Sequence, residues 1–244
     1  MSATGGSGRR EFLKQAAVAG GLVALGAGGA LARAAEQASG GPAPAAPAGI
    51  DVSPAEDLMR EHGVLRRVLL IYEECLRRLR NGSPVPSEEL KKAAAVVRNF
   101  IEQYHEKLEE VYIFPKFRDS KDLSDLVSVL LDQHIAGRAL TDRIIAGAAP
   151  QGPPERAALE RDLTAFTRMY RPHAAREDTV LFPAMHGVFS PQEYDKMGDA
   201  FEDKEQELFG KSGGFEGVVA QIASLEGVLG INDLSQFTPL AGGA

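Results

Sequence analysis

The same eleven-residue pattern occurs twice in this chain, and each copy places a histidine four residues before a glutamate. The copies are HEKLEEVYIFP at residues 105–115 and HAAREDTVLFP at residues 173–183, so they lie 68 residues apart. Residues i and i+4 of an α-helix differ by about 40° around the axis and about 6 Å along it. We therefore expect His105 and Glu109 to share one helix face, and His173 and Glu177 to share another.

The repeat is larger than these two copies. His62 and His134 each stand upstream of one copy, and they lie 72 residues apart. Both interrupt apolar stripes whose members recur every three or four residues, which is the pattern of a helix with one buried face. Each half of the chain is thus predicted to be a helical hairpin. A two-fold rotation between the halves would bring four histidines and two glutamates into the middle of one bundle.

Residues 53–187 are predicted to form four long helices. The first begins at the capping sequence Ser53-Pro54-Ala55-Glu56 and ends at residues 81–82. No stretch alternates with period two, so no strand is expected. Four long helices with short connections imply an all-α fold, an antiparallel up-down-up-down four-helix bundle. We expect Pro115 and Pro183 to end their helices, and Phe114 and Phe182 to pack beside the site and restrict water.

The segments outside the bundle have different compositions. Residues 1–34 read as a twin-arginine-type export signal, with Arg9-Arg10 before a Gly- and Ala-rich run and cleavage after Ala34. The protein would then be periplasmic or extracellular; a signal retained as a membrane anchor is the alternative. Residues 35–52 read as a flexible linker. Residues 188–244 are expected to form a C-terminal helical extension that covers the bundle, opened by a capping box at Ser190.

Charge and cysteine content exclude several classes of site. The net charge of −7 argues against a nucleic-acid-binding surface. One cysteine, Cys75, rules out an intramolecular disulfide and a cysteine-rich metal site. Cys75 falls on an apolar helical stripe, so we expect a buried structural thiol.

The pattern of histidines and glutamates predicts a metal centre. Imidazole suits iron, copper, zinc and nickel, and a carboxylate can bridge two metals about 3.5–4 Å apart. Burying two unpaired carboxylates would cost several kcal/mol each. A metal-free structural bundle is therefore disfavoured. The predicted ligands are His62, His105, Glu109, His134, His173 and Glu177.

Several neighbouring residues are given other roles. His186 has no matching glutamate and is expected at the surface. Gly137, one turn beyond His134, would leave room for an exogenous ligand. Glu106, Glu110 and Asp178 point away from the site, either onto a solvated, salt-bridged face or against the ligand histidines.

Together these residues resemble the hemerythrin-like family, the His-His-Glu cation-binding bundles that hold a non-haem di-iron centre. The resemblance covers residues 55–187 and implies two iron ions held by the six predicted ligands. One departure is notable: oxygen-carrying members have a fifth histidine where this chain has Arg138. Their fourth-helix carboxylate is an aspartate one residue later, so Asp178 stays open beside Glu177.

The resemblance leaves three functions open. The first is the binding of dioxygen or a related small diatomic or peroxide ligand. The second is a di-iron oxidoreductase, such as a peroxidase or a nitric-oxide-consuming enzyme, and the third is an iron store or redox sensor. A ferritin-like oxidase is rejected, because its Glu-x-x-His pattern occurs only once, at residues 102–105.

Overall fold

The computed structural model describes residues 52–118 and 123–239, and these residues form six helices and no strand. The helices are α1 (Pro54–Arg80), α2 (residues 87–118), α3 (Ser124–Gly147), α4 (residues 153–188), α5 (Pro191–Phe209) and α6 (Gly214–Leu229). Residues 52–231 form one compact unit. Residues 232–239 belong to a second unit and contain a short 3-10 turn at Leu234–Phe237.

Helices α1 to α4 form the predicted four-helix bundle. Helix α1 packs against α2 and α4, and α3 packs against α2 and α4, so the four helices close into a ring. The apolar stripes meet inside this ring, where Tyr72, Phe100, Phe166 and Leu163 are almost fully buried. The all-α prediction and the antiparallel topology are confirmed.

Local sequence signals place the helix ends. The Ser53 side chain accepts a hydrogen bond from the Glu56 amide at 3.2 Å, which caps the first turn of α1. At α5 the capping box is complete, since the Ser190 hydroxyl accepts from the Glu193 amide while the Glu193 carboxylate accepts from the Ser190 amide. The predicted starts of both helices are confirmed.

The two copies of the repeated pattern change the winding of α2 and α4. Each copy contains a π-helical segment that begins at its glutamate, Glu109–Ile113 in α2 and Glu177–Leu181 in α4. Helix α2 then continues as Phe114–Arg118 and α4 as Phe182–Val188. The expectation that the two prolines end these helices is wrong. Each proline stands second in the α-helical segment that follows the π turn, where a missing N–H costs little.

Helices α5 and α6 form the C-terminal extension and pack against α1 and α2 as well as against each other. Their buried residues include Met197, Phe201, Phe215 and Ile222. The predicted helical hairpin over the bundle is therefore present.

The predicted signal at 1–34 lies outside the described residues, and so does the predicted linker except for Val52. Among the helices of residues 52–118 and 123–239, none combines the length and apolarity that a bilayer crossing requires.

Candidate metal centre

The four histidines that interrupt the apolar helix faces and the two glutamates of the repeated pattern meet in the middle of the bundle. Helix α1 contributes His62 and α3 contributes His134, whereas α2 and α4 each contribute a histidine and a glutamate. All six predicted ligands are at most 3% exposed. The structure thus brings together every residue that the sequence predicted for the site.

The six side chains form two groups of three. One group is His62, His105 and Glu109, and the other is His134, His173 and Glu177; within each group the potential ligand atoms lie within 4.8 Å of one another. In the first group the Nε2 atoms of the two histidines are 3.0 Å apart. Two ligand nitrogens bound at about 2.1 Å and at right angles would show the same separation.

The two glutamates connect the groups. Glu109 lies with Oε1 3.6 Å from His105 Nε2 and with Oε2 3.5 Å from His134 Nε2. Glu177 lies with Oε2 3.1 Å from His173 Nε2 and 3.3 Å from His62 Nε2. Each carboxylate therefore faces one histidine from each half of the bundle, which is the arrangement a bridging ligand needs.

Each histidine is held by a hydrogen bond at its other ring nitrogen. On the α1 side, His62 Nδ1 lies 2.7 Å from Asp178 Oδ1, and His105 Nδ1 lies 2.7 Å from Glu61 Oε2. A neutral imidazole that donates from Nδ1 to an oxygen carries its lone pair at Nε2. These contacts therefore favour the tautomer that turns Nε2 toward the site.

The other two histidines repeat this arrangement. His134 Nδ1 lies 3.2 Å from Glu110 Oε1, and His173 Nδ1 lies 2.9 Å from Gln133 Oε1. Glu110 is in turn held by Lys107 and Arg138. All four imidazoles thus have one nitrogen fixed by a side-chain oxygen and the other directed inward.

Two of the side chains that contact Nδ1 also follow the repeat, but they were not predicted from the sequence. Glu61 and Gln133 each precede the first histidine of their half and contact the second histidine of that half. Their spacing equals that of His62 and His134, which is the signal that could have identified them. Of the two interpretations left open for Glu110 and Asp178, the structure shows contact with ligand histidines.

Glu177 and Asp178 have different surroundings. Glu177 is fully buried among the histidines, whereas Asp178 contacts the outer nitrogen of His62 and is also held by Arg66. The geometry thus favours Glu177 as the fourth-helix ligand.

The region around Gly137 is occupied by a tyrosine. A Cβ at Gly137 would lie 2.0 Å from the Tyr170 hydroxyl, so the expected room for an exogenous ligand is filled. Tyr170 donates to Glu106 Oε1 at 2.7 Å, and Arg138 donates to Glu106 Oε2 at 2.7 Å. Burial raises the pKa of Glu106 to about 8 despite these two partners.

Aromatic rings flank the site as expected. Phe182 stacks on His62 with ring centroids 5.5 Å apart, and Phe114 stacks on His134 at 5.4 Å. Both phenylalanines are at most 1% exposed. They form apolar walls against the two histidines.

The carboxylates show why the site favours a cation. Burial raises the pKa of Glu109 well above its usual value, and the charge of Glu177 raises it further. Burial acts the same way on Glu177, but His173 and His62 outweigh it and hold its pKa below the usual value. Two buried carboxylates at such close range do not both ionise readily without positive charge between them.

Hydrogen bonding gives an independent test of whether a metal fits. Within residues 52–118 and 123–239, neither carboxylate oxygen of Glu109 or Glu177 has a hydrogen-bond partner, and neither does His134 Nε2. Buried polar atoms are normally satisfied. These five unsatisfied atoms belong to the two ligand groups, each of which has two histidines and one glutamate. Nitrogen and carboxylate ligands of this kind fit metal ions of the transition series.

For two residues outside the site, the predicted exposure or burial is confirmed. His186 is exposed and packs its ring against Tyr194 with centroids 4.8 Å apart. Cys75 is buried and free, and burial raises the pKa of its thiol to about 12.

Comparison with known proteins agrees with this geometry. Residues 53–185 match the family model described as hemerythrin HHE cation binding domain. An uncharacterized protein of Mycobacterium tuberculosis is 46% identical over 235 residues, covering 95% of this chain and 91% of the relative. An uncharacterized protein of Mycobacterium bovis matches with the same identity and coverage. The search of solved structures found no significant match.

Proposed function

The chain belongs to the hemerythrin HHE cation-binding family, and from that premise we propose that it is a non-haem di-iron protein that binds dioxygen or a related small ligand, such as nitric oxide or peroxide. One observation carries the proposal. Glu109 and Glu177 each face a histidine from both halves of the bundle, at 3.1–3.6 Å. That arrangement suits two metal ions side by side better than a single ion.

The roles of the residues depend on their positions. His62 and His105 would hold one iron, His134 and His173 the other, and Glu109 and Glu177 would contact both. Bound iron supplies one-electron redox chemistry and open coordination positions. The partners at Nδ1 orient the imidazoles and raise their basicity. Phe114 and Phe182 keep water away, which strengthens electrostatic interactions inside the pocket.

A second candidate, a di-iron oxidoreductase, is favoured by one observation. Arg138 stands where oxygen carriers have a further histidine, and its guanidinium is engaged by Glu106 and Glu110. Arg138 therefore supplies no ligand, so the second iron would keep a position for water or substrate. A coordination position that no side chain fills suits turnover of a peroxide or nitric oxide.

Metal content tests the proposed ligand set. The purified protein should hold about two irons per chain, and alanine at His62, His105, His134 or His173 should lower that content. The matched control is His186→Ala, which removes an exposed histidine and should change nothing. Equal loss of iron in His186→Ala and His105→Ala would contradict the ligand set.

The two candidate functions predict different reactions of the reduced protein with dioxygen. The iron-loaded protein would be reduced, exposed to dioxygen and monitored by visible absorption. A spectrum that appears with dioxygen and disappears when the gas is removed supports binding. Irreversible oxidation accompanied by consumption of added peroxide or nitric oxide supports the oxidoreductase.

We also propose export by the twin-arginine route, which carries folded proteins and would allow iron to be inserted beforehand. The proposal rests on Arg9-Arg10 and the Gly- and Ala-rich run behind them. Changing both arginines to lysine should leave the precursor in the cytoplasm, folded and iron-loaded. Normal export of that variant would refute it.

A further inference from the structure

A recess of about 280 Å³ lies in the seam between α1 and α4. Its apolar wall consists of Leu65, Leu69, Leu70, Tyr170 and Ala174. Leu65 follows His62 by about one turn of α1, and Ala174 directly follows His173 in α4. The recess is therefore lined by close sequence neighbours of two predicted ligands.

Two arginines give this apolar recess a positive rim. Arg66 and Arg171 line it, and their side chains are 49% and 57% exposed. Arg66 contacts Asp178 and Arg171 contacts Glu73, in each case through the Nη2 nitrogen. A guanidinium has five N–H donors, so both side chains retain donors that can face a ligand.

Further arginines lie along the same seam, and some of them are paired with carboxylates. An adjoining groove of about 610 Å³ shares Arg171 with the recess and is also lined by Glu73, Arg80 and Arg168. Arg80 is paired with Glu160 at 2.8 Å. The whole chain is acidic, with a net charge of −7. The seam thus combines an apolar recess with guanidinium groups whose remaining N–H donors can still face an anion.

We propose that the recess binds a small organic anion, a monocarboxylate with an apolar tail of roughly six to ten carbons, which is a range chosen to suit the small volume of the recess. The carboxylate would lie between Arg66 and Arg171, whose planar guanidinium groups match its two oxygens. The tail would lie on the leucines and on Ala174. The proposal goes beyond the proposed function, because it depends on neither the identity nor the redox state of the metal.

The position of Arg66 connects this recess to the metal centre. Arg66 holds one oxygen of Asp178, and the other oxygen lies 2.7 Å from His62 Nδ1. An anion that engages Arg66 would therefore act on a metal ligand through one intervening side chain. Occupancy of the recess should change the visible absorption of the iron-loaded protein.

Titration calorimetry on the full iron-loaded chain tests the proposal, with octanoate as the probe. Octanoate should bind, and affinity should rise about fourfold per methylene from hexanoate to octanoate. Octanol lacks the charge, so it should bind at least about tenfold more weakly because a charge-assisted contact is lost. Acetate and inorganic phosphate lack the tail, so they should also bind at least about tenfold more weakly because the apolar burial is lost. Octanol binding as tightly as octanoate would show a recess for neutral molecules and overturn the proposal.

Substitution locates the site without touching the metal ligands. Arg171→Gln should weaken octanoate about tenfold, since it removes one charge-assisted contact. The matched control is Arg161→Gln, an exposed arginine on the same helix that lines neither cavity. The octanoate concentration needed to change the visible spectrum should shift by the same factor in Arg171→Gln. Equal affinities in the two variants would place octanoate elsewhere and refute the assignment.

Discussion

At the scale of single residues, Glu109 and Glu177 differ from the four histidines because they are the candidate ligands that bring negative charge. Two ferrous ions would place four positive charges in an apolar bundle, and neutral imidazoles offset none of them. Glu109 and Glu177 would offset half. A glutamine in either position is neutral and a weaker ligand, so we predict that Glu109→Gln or Glu177→Gln removes more iron than loss of any single histidine.

The neighbouring carboxylates provide the comparison. Glu110 contacts the outer ring nitrogen of His134, and Asp178 contacts that of His62. Glu110→Gln and Asp178→Asn should therefore lower iron affinity by about 10–100-fold without abolishing the centre. Iron content and visible absorption would be measured for all four variants. Loss of the centre in Asp178→Asn together with its retention in Glu177→Gln would show that Asp178 is the ligand.

Cys75 yields a prediction independent of metal. Burial raises the pKa of its thiol to about 12, and the side chain is 0% exposed. The thiolate is the reactive form. At pH 8 the folded protein should therefore react with Ellman's reagent only at its rate of unfolding, and in denaturant it should release one equivalent at once. Rapid labelling of the native protein would contradict the buried position.

The sequence identified the inward side chains, and it did so because helical periodicity and the repeat agree at His62, His105, His134 and His173. It could not assign the contacts at Nδ1, since these join different helices and depend on how the helices are rotated against each other. Glu61 and Asp178 stand on α1 and α4 yet serve histidines on α2 and α1. The same limit applies to Gly137, because no local pattern places the Tyr170 hydroxyl against α3.

At the scale of helices, two glycines form a matched pair. Gly137 lies where a Cβ would meet Tyr170 at 2.0 Å, whereas a Cβ at Gly63 would meet nothing within 4 Å. Gly137→Ala should push Tyr170 from its hydrogen bond with Glu106 and destabilise the bundle by about 1–3 kcal/mol through overpacking. Gly63→Ala should stabilise α1 by about 0.5–1 kcal/mol, because alanine has the higher helix propensity.

Thermal or denaturant unfolding of the two glycine variants would measure this difference. The sign of the change in unfolding free energy decides the outcome, since both substitutions add one methyl group to a helix interior. Equal stabilisation by both would mean that Tyr170 does not occupy the space beside Gly137. The π-helical segments Val97–His105, Glu109–Ile113 and Glu177–Leu181 were beyond sequence prediction for a related reason, because no local sequence pattern marks this change of winding.

At the scale of the whole molecule, the candidate centre joins the two halves of the bundle. Glu109 of α2 faces His134 of α3, and Glu177 of α4 faces His62 of α1. Metal bound there would hold the two hairpins together and would give partners to the carboxylate oxygens of Glu109 and Glu177, which accept no hydrogen bond within the described residues. Because a metal that binds only the folded state stabilises it by mass action, iron at 100 times its dissociation constant should add about 2.7 kcal/mol.

We therefore predict that a chelator lowers the melting temperature of the loaded protein and that added ferrous iron restores it under anaerobic conditions. The shift should grow with free iron concentration, as binding linkage requires. His186→Ala should show the same shift as the natural chain, because its imidazole lies outside the centre. A variant with both Glu109→Gln and Glu177→Gln should melt at one temperature with or without iron. If that double variant responded to iron as the natural chain does, the stabilising metal would be bound elsewhere, and the halves would be held together by their apolar packing alone.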